Sequence, residues 1–310
     1  MTPESRAPLA DILVSGIASA DLVFPGLARM PALGQEVASE DFIVKPGGAA
    51  NIATALHRLS LRVTFVSAFG EDVAGRIVTD QLRSLGLDLS SCQVGPDVRT
   101  PVSAVLSCGS DRGFATYFGR WDEADLVSRL RQAIPSCRLA YGSIRDFLSY
   151  RLHDLARAAG VPYAIDMAWD DTLLLRDIEA IVAGSAIFFA NEAEARNLTG
   201  RQDPDEALSI LAACAPLVVL KLGPAGSLVR QGDRTWRAAP VPVPRVVDTT
   251  GAGDLYCAGF LFGFLQGWPI RDCAQWASAA GALAVTFHGG VDAAFTQEAV
   301  ARLLREAGPI

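Results

Sequence analysis

The stretch Asp248-Thr249-Thr250-Gly251-Ala252-Gly253-Asp254 is followed at once by an almost wholly apolar or small run, Leu255 to Leu265. A run of this length without proline predicts a helix that is buried on most sides. The glycines stand where that helix must begin, and a helix start offers unpaired N–H groups and the positive end of the dipole. Because Gly251 and Gly253 have no Cβ, an anion can approach their backbone closely. The stretch therefore predicts a phosphate-sized anion site.

Two carboxylates, Asp248 and Asp254, flank the predicted anion site. An acid beside a phosphate is electrostatically unfavourable unless it has a chemical task. In the first helical turn, the task that suits Asp254 is to take a proton from a hydroxyl that attacks phosphorus. The alternative is that Asp254 only caps the helix, since Asp is common at helix starts.

The composition indicates the class of protein. The 310 residues are enough for one large core or two domains, and the net charge is -7. The absence of any basic run argues against a nucleic-acid partner, and no apolar run reaches the length of a membrane span. Residues 1–8 are polar and carry no apolar signal core, so we expect a cytoplasmic protein. Six cysteines without a Cys-x-x-Cys pair and three scattered histidines indicate reduced thiols and no thiol metal site.

The N-terminal part of the chain predicts a ligand-binding edge. Residues 11–17 are a strand, and Asp21 follows in the next loop, near the carboxyl end of the strand, where ligands bind in α/β sheets. Residues 23–44 predict an irregular excursion with strands. Gly47 and Gly48 predict a turn before an amphipathic helix, which is weak evidence for a site when taken alone.

The middle of the chain alternates in period. Residues 100–107 and 114–118 predict a hairpin that turns at residues 110–113, with Phe114, Thr116 and Phe118 on one face. From residue 122 to residue 190, helices and strands alternate, which predicts a doubly wound, mostly parallel sheet between helices. No linker divides the pattern, so we expect one α/β domain over residues 1–310. The hairpin could equally be an ordinary edge hairpin.

Two further positions carry polar groups at strand ends. Asn191 and Glu194 are three residues apart, so both project from one side of a first helical turn, where Glu194 could also simply cap the helix. Lys221 ends an apolar strand and precedes the turn Gly223-Pro224-Ala225-Gly226. A glycine turn beside a lysine suits a nucleotide phosphate.

The seven residues 248–254 match without departure the C-terminal signature of the ribokinase-like (PfkB) carbohydrate kinase family. The resemblance implies that Asp254 is the catalytic base and that Gly251, Ala252 and Gly253 form the anion hole. The run Gly47-Gly48-Ala49-Ala50-Asn51 resembles the family's N-terminal signature, which contacts the sugar. Asp21 matches the family's sugar-binding Asp. A carboxylate can accept hydrogen bonds from two neighbouring hydroxyls.

The same resemblance implies the remaining ligands. Asn191 and Glu194 match a motif that helps to place Mg²⁺ and phosphate. Because Mg²⁺ usually keeps its waters, these residues would contact it through water. Lys221, Gly223 and Gly226 would contact the nucleotide, although many relatives have Thr at the Lys221 position. Ser278 stands where an Asn often lines the adenine pocket, and this departure leaves the contact in doubt. In cation-activated members, the His288-Gly289-Gly290 loop and the Asp248 region hold K⁺.

The resemblance implies a ribokinase-like fold with a small β lid, inserted from about residues 20–45 and 98–119, whose free edge could pair two copies in a homodimer. It implies ATP-dependent phosphoryl transfer to a hydroxymethyl group of a sugar. One alternative is a nucleoside kinase with the same mechanism, in which Phe114, Tyr117 and Phe118 could stack on a base. The other is a sugar- or nucleotide-sensing protein without turnover. The sequence does not name the acceptor.

Overall fold

A computed structural model describes residues 9–108, 111–168 and 170–308. The first half of the chain forms β1 (Ile12–Ser15), β2 (Ala18–Leu27), β3 (Ile43–Gly48), α1 (Ala49–Arg58), β4 (Val63–Val66), β5 (Ala68–Gly70), α2 (Val73–Ser84), β6 (Gln93–Gly95), β7 (Val102–Cys108), β8 (Asp111–Tyr117), α3 (Glu123–Ala133), β9 (Ala140–Ser143), α4 (Ile144–Ser149) and α5 (Leu152–Ala159). The predicted turn residue Ser110 lies outside the described residues.

The second half forms β10 (Tyr163–Asp166), α6 (Leu175–Ala183), β11 (Ile187–Asn191), α7 (Glu192–Thr199), α8 (Pro204–Cys214), β12 (Leu217–Lys221), β13 (Ser227–Gln231), β14 (Arg234–Ala238), α9 (Ala252–Leu265), α10 (Ile270–Ala284) and α11 (Gln297–Glu306). In four helices, the side chain of the residue before the first turn accepts a hydrogen bond from a first-turn amide. These residues are Asp72, Asp122, Asp203 and Thr296. Such caps satisfy donors that a helix start leaves unpaired.

Eight strands form the large sheet, in the order β14-β13-β12-β11-β10-β9-β1-β4. Pairing is parallel from β12 to β4, and the hairpin of β13 and β14 adds two antiparallel strands. Alternate strand residues face opposite sides. Ile12 and Val14 pack with α1, α2, α9, α10 and α11, whereas Leu13 packs with α3 to α8. The predicted doubly wound α/β sheet between helices is confirmed.

A four-stranded sheet, here called the small sheet, has the order β3-β2-β7-β8. It follows the carboxyl end of β1 directly, because β2 begins three residues after β1 ends. Residues in register share a face of a sheet. One face, here called the inner face, carries Asp21, Ser103 and Thr116 in one row and Val23, Val105 and Phe114 in the next.

Two helices were not predicted: α4, which is only six residues long, and α8. The predicted apolar helix is α9, and its residues 255–263 are all buried. Over the described residues, none of the helices is long and apolar enough to cross a membrane. All six cysteines are free thiols.

Candidate active site

The loop of residues 248–253 leads into α9 and packs on a second loop. Gly251 precedes the helix with φ of 75°, and a Cβ at this position would lie 2.5 Å from Cα of Gly290. Only glycine satisfies both the positive φ and the close approach. The structure therefore places this glycine backbone at the start of a buried helix, and the anion site there stays a prediction.

Asp254 lies in the first turn of α9, and Asn51 of α1 donates a hydrogen bond from Nδ2 to Oδ2 of Asp254 at 2.9 Å. Desolvation raises the pKa of Asp254 to about 6, although the Asn51 hydrogen bond opposes this rise. A carboxylate with a pKa near the working pH is suited to accept a proton from a hydroxyl. The structure thus brings the predicted base and the predicted acceptor ligand Asn51 into contact.

Asp21 lies within β2, not in a loop as predicted. Its side chain is buried, and its Oδ1 accepts a hydrogen bond from Oγ of Ser19 at 2.7 Å. Its register partner on β3 is Lys45, whereas Gly47 pairs with Ser19, and a Cβ on Gly47 would collide with the Asp21 carboxylate. Burial raises the pKa of Asp21, Ser19 opposes this, and the charge of Asp248 adds to it.

The prediction of a turn at Gly47 and Gly48 was wrong. The two residues do not form a turn, because they end β3, and α1 starts at the next residue. Gly48 has a φ of 59°, which lets the strand continue straight into the helix that carries Asn51. Gly47 and Gly48 therefore join β3, the strand next to Asp21, directly to the helix that carries Asn51.

Asp248 is held by three hydrogen bonds. Its Oδ1 accepts from N and Oγ1 of Thr250 at 2.9 and 2.8 Å, and its Oδ2 accepts from N of Gly289 at 2.9 Å. Burial acts to raise the pKa of Asp248, but these bonds and the charge of Arg112 outweigh it, so the pKa is lowered. The carboxylate is ionised and fixes the loop that precedes the anion site.

Arg112 is a residue that the sequence did not single out. It lies on β8, and its Nη1 donates to Oγ1 of Thr249 at 2.9 Å and to Oγ1 of Thr250 at 3.1 Å. The same atom is 3.8 Å from Oδ1 of Asp248. The sequence placed Arg112 in the hairpin turn of residues 110–113, and this was wrong, because β8 already begins at Asp111 and Arg112 pairs with Ser107 of β7.

A partly buried ion pair lies next to the glycine loop. Nζ of Lys221 is 2.9 Å from Oδ1 of Asp166, and it also donates to Sγ of Cys257 at 3.4 Å. Burial alone would lower the pKa of Lys221, but Asp166 and other negative groups hold it well above its ordinary value. A Cβ on Gly253 would lie 3.8 Å from Nζ. The charged ammonium group is therefore adjacent to the glycine loop.

Asp166 was also missed. It ends β10, and a carboxylate at the carboxyl end of an apolar strand was the same signal that identified Asp21. Lys221 ends β12, and both strands pair with β11. The pairing of Asp166 with Lys221 depends on this strand order, which the residues alone do not reveal.

Asn191 and Glu194 form a capping box at the start of α7. N of Asn191 donates to Oε2 of Glu194 at 2.8 Å, and N of Glu194 donates to Oδ1 of Asn191 at 2.9 Å. Burial raises the pKa of Glu194, while Lys221 opposes this rise. The capping role is present. The metal role stays a prediction.

The other predicted nucleotide-binding residues lie in the turn of Gly223 and Gly226 and on α10. Gly223 begins a 3₁₀ turn, Gly223–Ala225, and Gly226 follows it with φ of 85°. Ser278 lies on α10, where its Oγ is buried and has no hydrogen-bond partner among the described residues. The structure neither pairs Ser278 nor contradicts a ligand contact there.

A cleft of about 770 Å³ opens beside Asp248, between the small sheet and the signature loop. Val23, Arg112, Thr249 and His288 are among its lining residues. Asp21, Asn51 and Asp254 are not, so the cleft adjoins the predicted chemical centre and is not the centre itself. Over the described residues, no group of three or more His, Cys, Asp or Glu side chains could hold a metal ion.

Known proteins are similar to this chain in sequence and fold. The pfkB family carbohydrate kinase profile matches residues 9–296. The chain is 32% identical over 270 residues to a nucleoside kinase of Methanothermobacter thermautotrophicus, across 84% of this chain and 85% of that protein. It is 28% identical to a ribokinase of Arabidopsis thaliana, across 97% of this chain and 82% of that protein.

A solved structure of a family member has the same fold. Arabidopsis thaliana ribokinase complexed with ribose and ATP has a TM-score of 0.81 at 24% identity and covers 97% of this chain and 99% of that one. Fold and sequence thus define an ATP-dependent phosphotransferase. The chain belongs to the pfkB family of carbohydrate kinases. The predicted family, fold class and enzyme class are confirmed, and the sensing protein without turnover is set aside.

Proposed function

We propose that this enzyme transfers the γ-phosphoryl group of ATP to a hydroxymethyl group of a sugar or nucleoside, with Asp254 as the general base. One observation carries the proposal: Asp254, with a pKa raised to about 6, lies in the first turn of α9 directly after Gly253 and accepts a hydrogen bond from Asn51. The relatives named ribokinase and nucleoside kinase support the acceptor class.

Each residue has a part in the proposed reaction. Asp21 and Asn51 orient the acceptor, so that one of its hydroxyl groups meets Asp254. Asp254 takes the proton of that hydroxyl as its oxygen attacks phosphorus. The amides of Gly251, Ala252 and Gly253 stabilise the charge that develops on the phosphoryl oxygens, which positioning and electrostatics can do without covalent help from the protein. The charged Lys221 next to the loop adds to the same field.

The nucleotide is proposed to lie along the turn of Gly223 and Gly226, with Asn191 and Lys221 near its phosphates. Ser278 would face the adenine, and its unpaired buried Oγ is consistent with that place. We further propose that residues 1–310 form one kinase unit in which the small sheet covers the acceptor as a lid. A cytoplasmic enzyme fits the six free thiols.

Both acceptor classes have support on the inner face of the small sheet. The row of Asp21, Ser103 and Thr116 offers polar groups to sugar hydroxyls. The next row is apolar, with Val23, Val105 and Phe114, and the Phe114 side chain is 57% exposed. An exposed aromatic ring beside a sugar anchor could stack on a base. Val23 and Val105 are buried, so the exposed Phe114 ring is the observation that favours a nucleoside as the second candidate.

The test of the proposed function is a phosphoryl-transfer screen with ATP and Mg²⁺ against aldoses, ketoses, deoxy-sugar acids and nucleosides. We expect ATP consumption coupled to a phosphorylated product with at least one acceptor. A protein that binds acceptors but never consumes ATP, while the Asp254→Asn variant behaves identically, would contradict the proposal.

Mg²⁺ is proposed to accompany ATP, with Glu194 acting through water, because Mg²⁺ keeps most of its waters and uses few carboxylates. We expect Glu194→Gln to raise the Mg²⁺ concentration for half-maximal rate by about tenfold, the scale of an outer-shell contact. Glu192→Gln, in the same helical turn but partly exposed, is the control. If Glu194→Gln lowers only Tm and leaves the Mg²⁺ dependence unchanged, its carboxylate only caps α7.

K⁺ is proposed to bind near Asp248, whose lowered pKa keeps it anionic. A cation there would reinforce the positive field of the adjacent glycine loop. We therefore expect a higher rate in K⁺ than in tetramethylammonium at equal ionic strength. Equal initial rates in the two salts would remove the cation from the mechanism.

A homodimer through the small sheet is also proposed. β3 and β8 are its edge strands, and Tyr117 is 54% exposed. Sedimentation velocity would show a single dimeric species. A monomer at assay concentrations would exclude the dimer without affecting the catalytic proposal.

A further inference from the structure

The small sheet is fastened to the signature loop by one side chain. Arg112 lies on β8, and its guanidinium donates to the hydroxyls of both Thr249 and Thr250, at 2.9 and 3.1 Å. These two threonines immediately precede Gly251. A residue of the acceptor-facing sheet therefore holds the two residues that lead into the anion site.

The guanidinium of Arg112 also contacts a residue of its own strand. It lies over the ring of Phe114, two residues further along β8, at 5.6 Å from the ring centroid. Arg112 pairs in register with Ser107 of β7 and shares the face of Phe114. The planar group is thus fixed by the sheet before it reaches the loop, and its fork can satisfy two acceptors at once.

On the loop side, hydrogen bonds continue from Thr250 to Asp248 and from there to Gly289. Oδ1 of Asp248 accepts from both N and Oγ1 of Thr250, and Oδ2 of the same carboxylate accepts from N of Gly289. Arg112 thus contacts a network that fixes both loops around Gly251. A second link joins the opposite edge of the small sheet, where Nζ of Lys45 on β3 is 3.4 Å from Oδ2 of Asp292.

We propose that Arg112 is a positioning residue that couples the small sheet to the anion site, so that an acceptor bound on the inner face orders the loop that stabilises the phosphoryl group. The inference rests on the proposed function and adds to it a specific link between acceptor binding and the anion hole. The alternative is that Arg112 touches the nucleotide phosphates directly. The two differ in what removing the guanidinium changes.

The test is hydrogen–deuterium exchange of the ligand-free protein, read at the amides of residues 248–253. We expect Arg112→Gln to speed their exchange, while Arg112→Lys, which keeps the charge but lacks the fork, gives an intermediate rate. The control is Arg237→Gln on β14, which removes an arginine with one exposed carboxylate partner, Asp205. It should leave these amides unchanged.

The coupling must also run from the loop to the sheet, because coupling free energies are reciprocal. Thr249→Val removes one acceptor of Arg112 at nearly constant volume, and we expect it to speed exchange in residues 111–117. If Arg112→Gln and Thr249→Val both leave the opposite segment unchanged, no coupling exists and the proposal fails.

Kinetics separate the two roles of Arg112. For a positioning residue, kcat of Arg112→Gln with the best acceptor falls roughly 10- to 100-fold, the scale of a charge-assisted hydrogen bond, while KM for ATP stays within about twofold. A raised KM for ATP with unchanged exchange would assign Arg112 to the nucleotide and overturn the proposal. Exchange requires no turnover, so an inactive wild type would contradict the proposed function without deciding the coupling.

Discussion

Asp254→Asn is expected to lose turnover by roughly 10²–10⁴-fold, the range for loss of a general base, while the protein folds normally and KM for ATP changes little. The reason is geometric and electrostatic. Asp254 stands at the head of α9 behind the glycine loop, and desolvation raises its pKa to about 6. The amide keeps the size and the contact with Asn51 but cannot accept a proton from the acceptor hydroxyl.

The pH dependence follows from the same residue. A base works only when ionised, so kcat/KM should be low below pH 6 and rise to a plateau above it, with an apparent pKa of about 6. The Asn51 hydrogen bond favours the ionised form. Its removal in Asn51→Leu should therefore move the acid limb to higher pH. Asp254→Asn should lose the limb altogether.

The matched control is Asp272→Asn. Asp272 also lies in the first turn of a buried helix, α10, but is exposed to solvent. It should keep the wild-type rate and pH profile. Near-native turnover of Asp254→Asn, with an unchanged acid limb, would show that another group takes the proton.

The large sheet was predictable because its signal is local. Apolar runs of four or five residues alternate with helices of the correct period over residues 122–190, and this pattern depends on neither loops nor ligands. The signature at residues 248–254 was predictable for a related reason. Gly251 is required by backbone approach, since a Cβ there would lie 2.5 Å from Cα of Gly290.

The small sheet was harder to predict from the residues alone. The inner face of β2 carries Asp21 beside Val23, and that of β7 carries Ser103 beside Val105. Polar and apolar residues thus share one face, so the alternation that marks an ordinary half-buried strand is lost. For the same reason Asp21 was placed in a loop.

The missed site residues depend on contacts between distant parts of the chain. Arg112 and Thr249 are 137 residues apart, and Asp166 and Lys221 are 55 apart. Nothing in the residues near Asp166 names Lys221 as its partner. The short helix α4 was missed because six residues lie below the length at which a period can be read.

Asp21→Ala is expected to raise KM for the acceptor by roughly 10- to 100-fold with little change in KM for ATP, because each charged hydrogen bond in a closed site contributes about 1.5–3 kcal/mol. Asp21 is suited to this role. Its carboxylate is buried on the inner face, and only the Ser19 hydroxyl among side chains of the described residues donates to it.

Stability gives an independent reading of the same residue. Burial raises the pKa of Asp21, so its charge is unfavourable in the ligand-free protein. A group kept for binding in spite of that cost can be neutralised without loss of stability. We therefore expect the isosteric Asp21→Asn to keep or raise Tm while it weakens acceptor binding. Asp233→Ala, in the exposed turn between β13 and β14, is the control and should change neither.

Deoxy analogues of the best acceptor complete the argument. If Asp21 binds two neighbouring hydroxyls, removing either hydroxyl should cost the wild-type enzyme about as much as losing one bond. The same removal should cost Asp21→Ala almost nothing, because the bond is already absent. Equal losses in both enzymes, or an acceptor KM of Asp21→Ala within about twofold of wild type, would exclude Asp21 as the anchor. The acceptor would then be held chiefly by exposed lid aromatics such as Phe114, which favours a nucleoside.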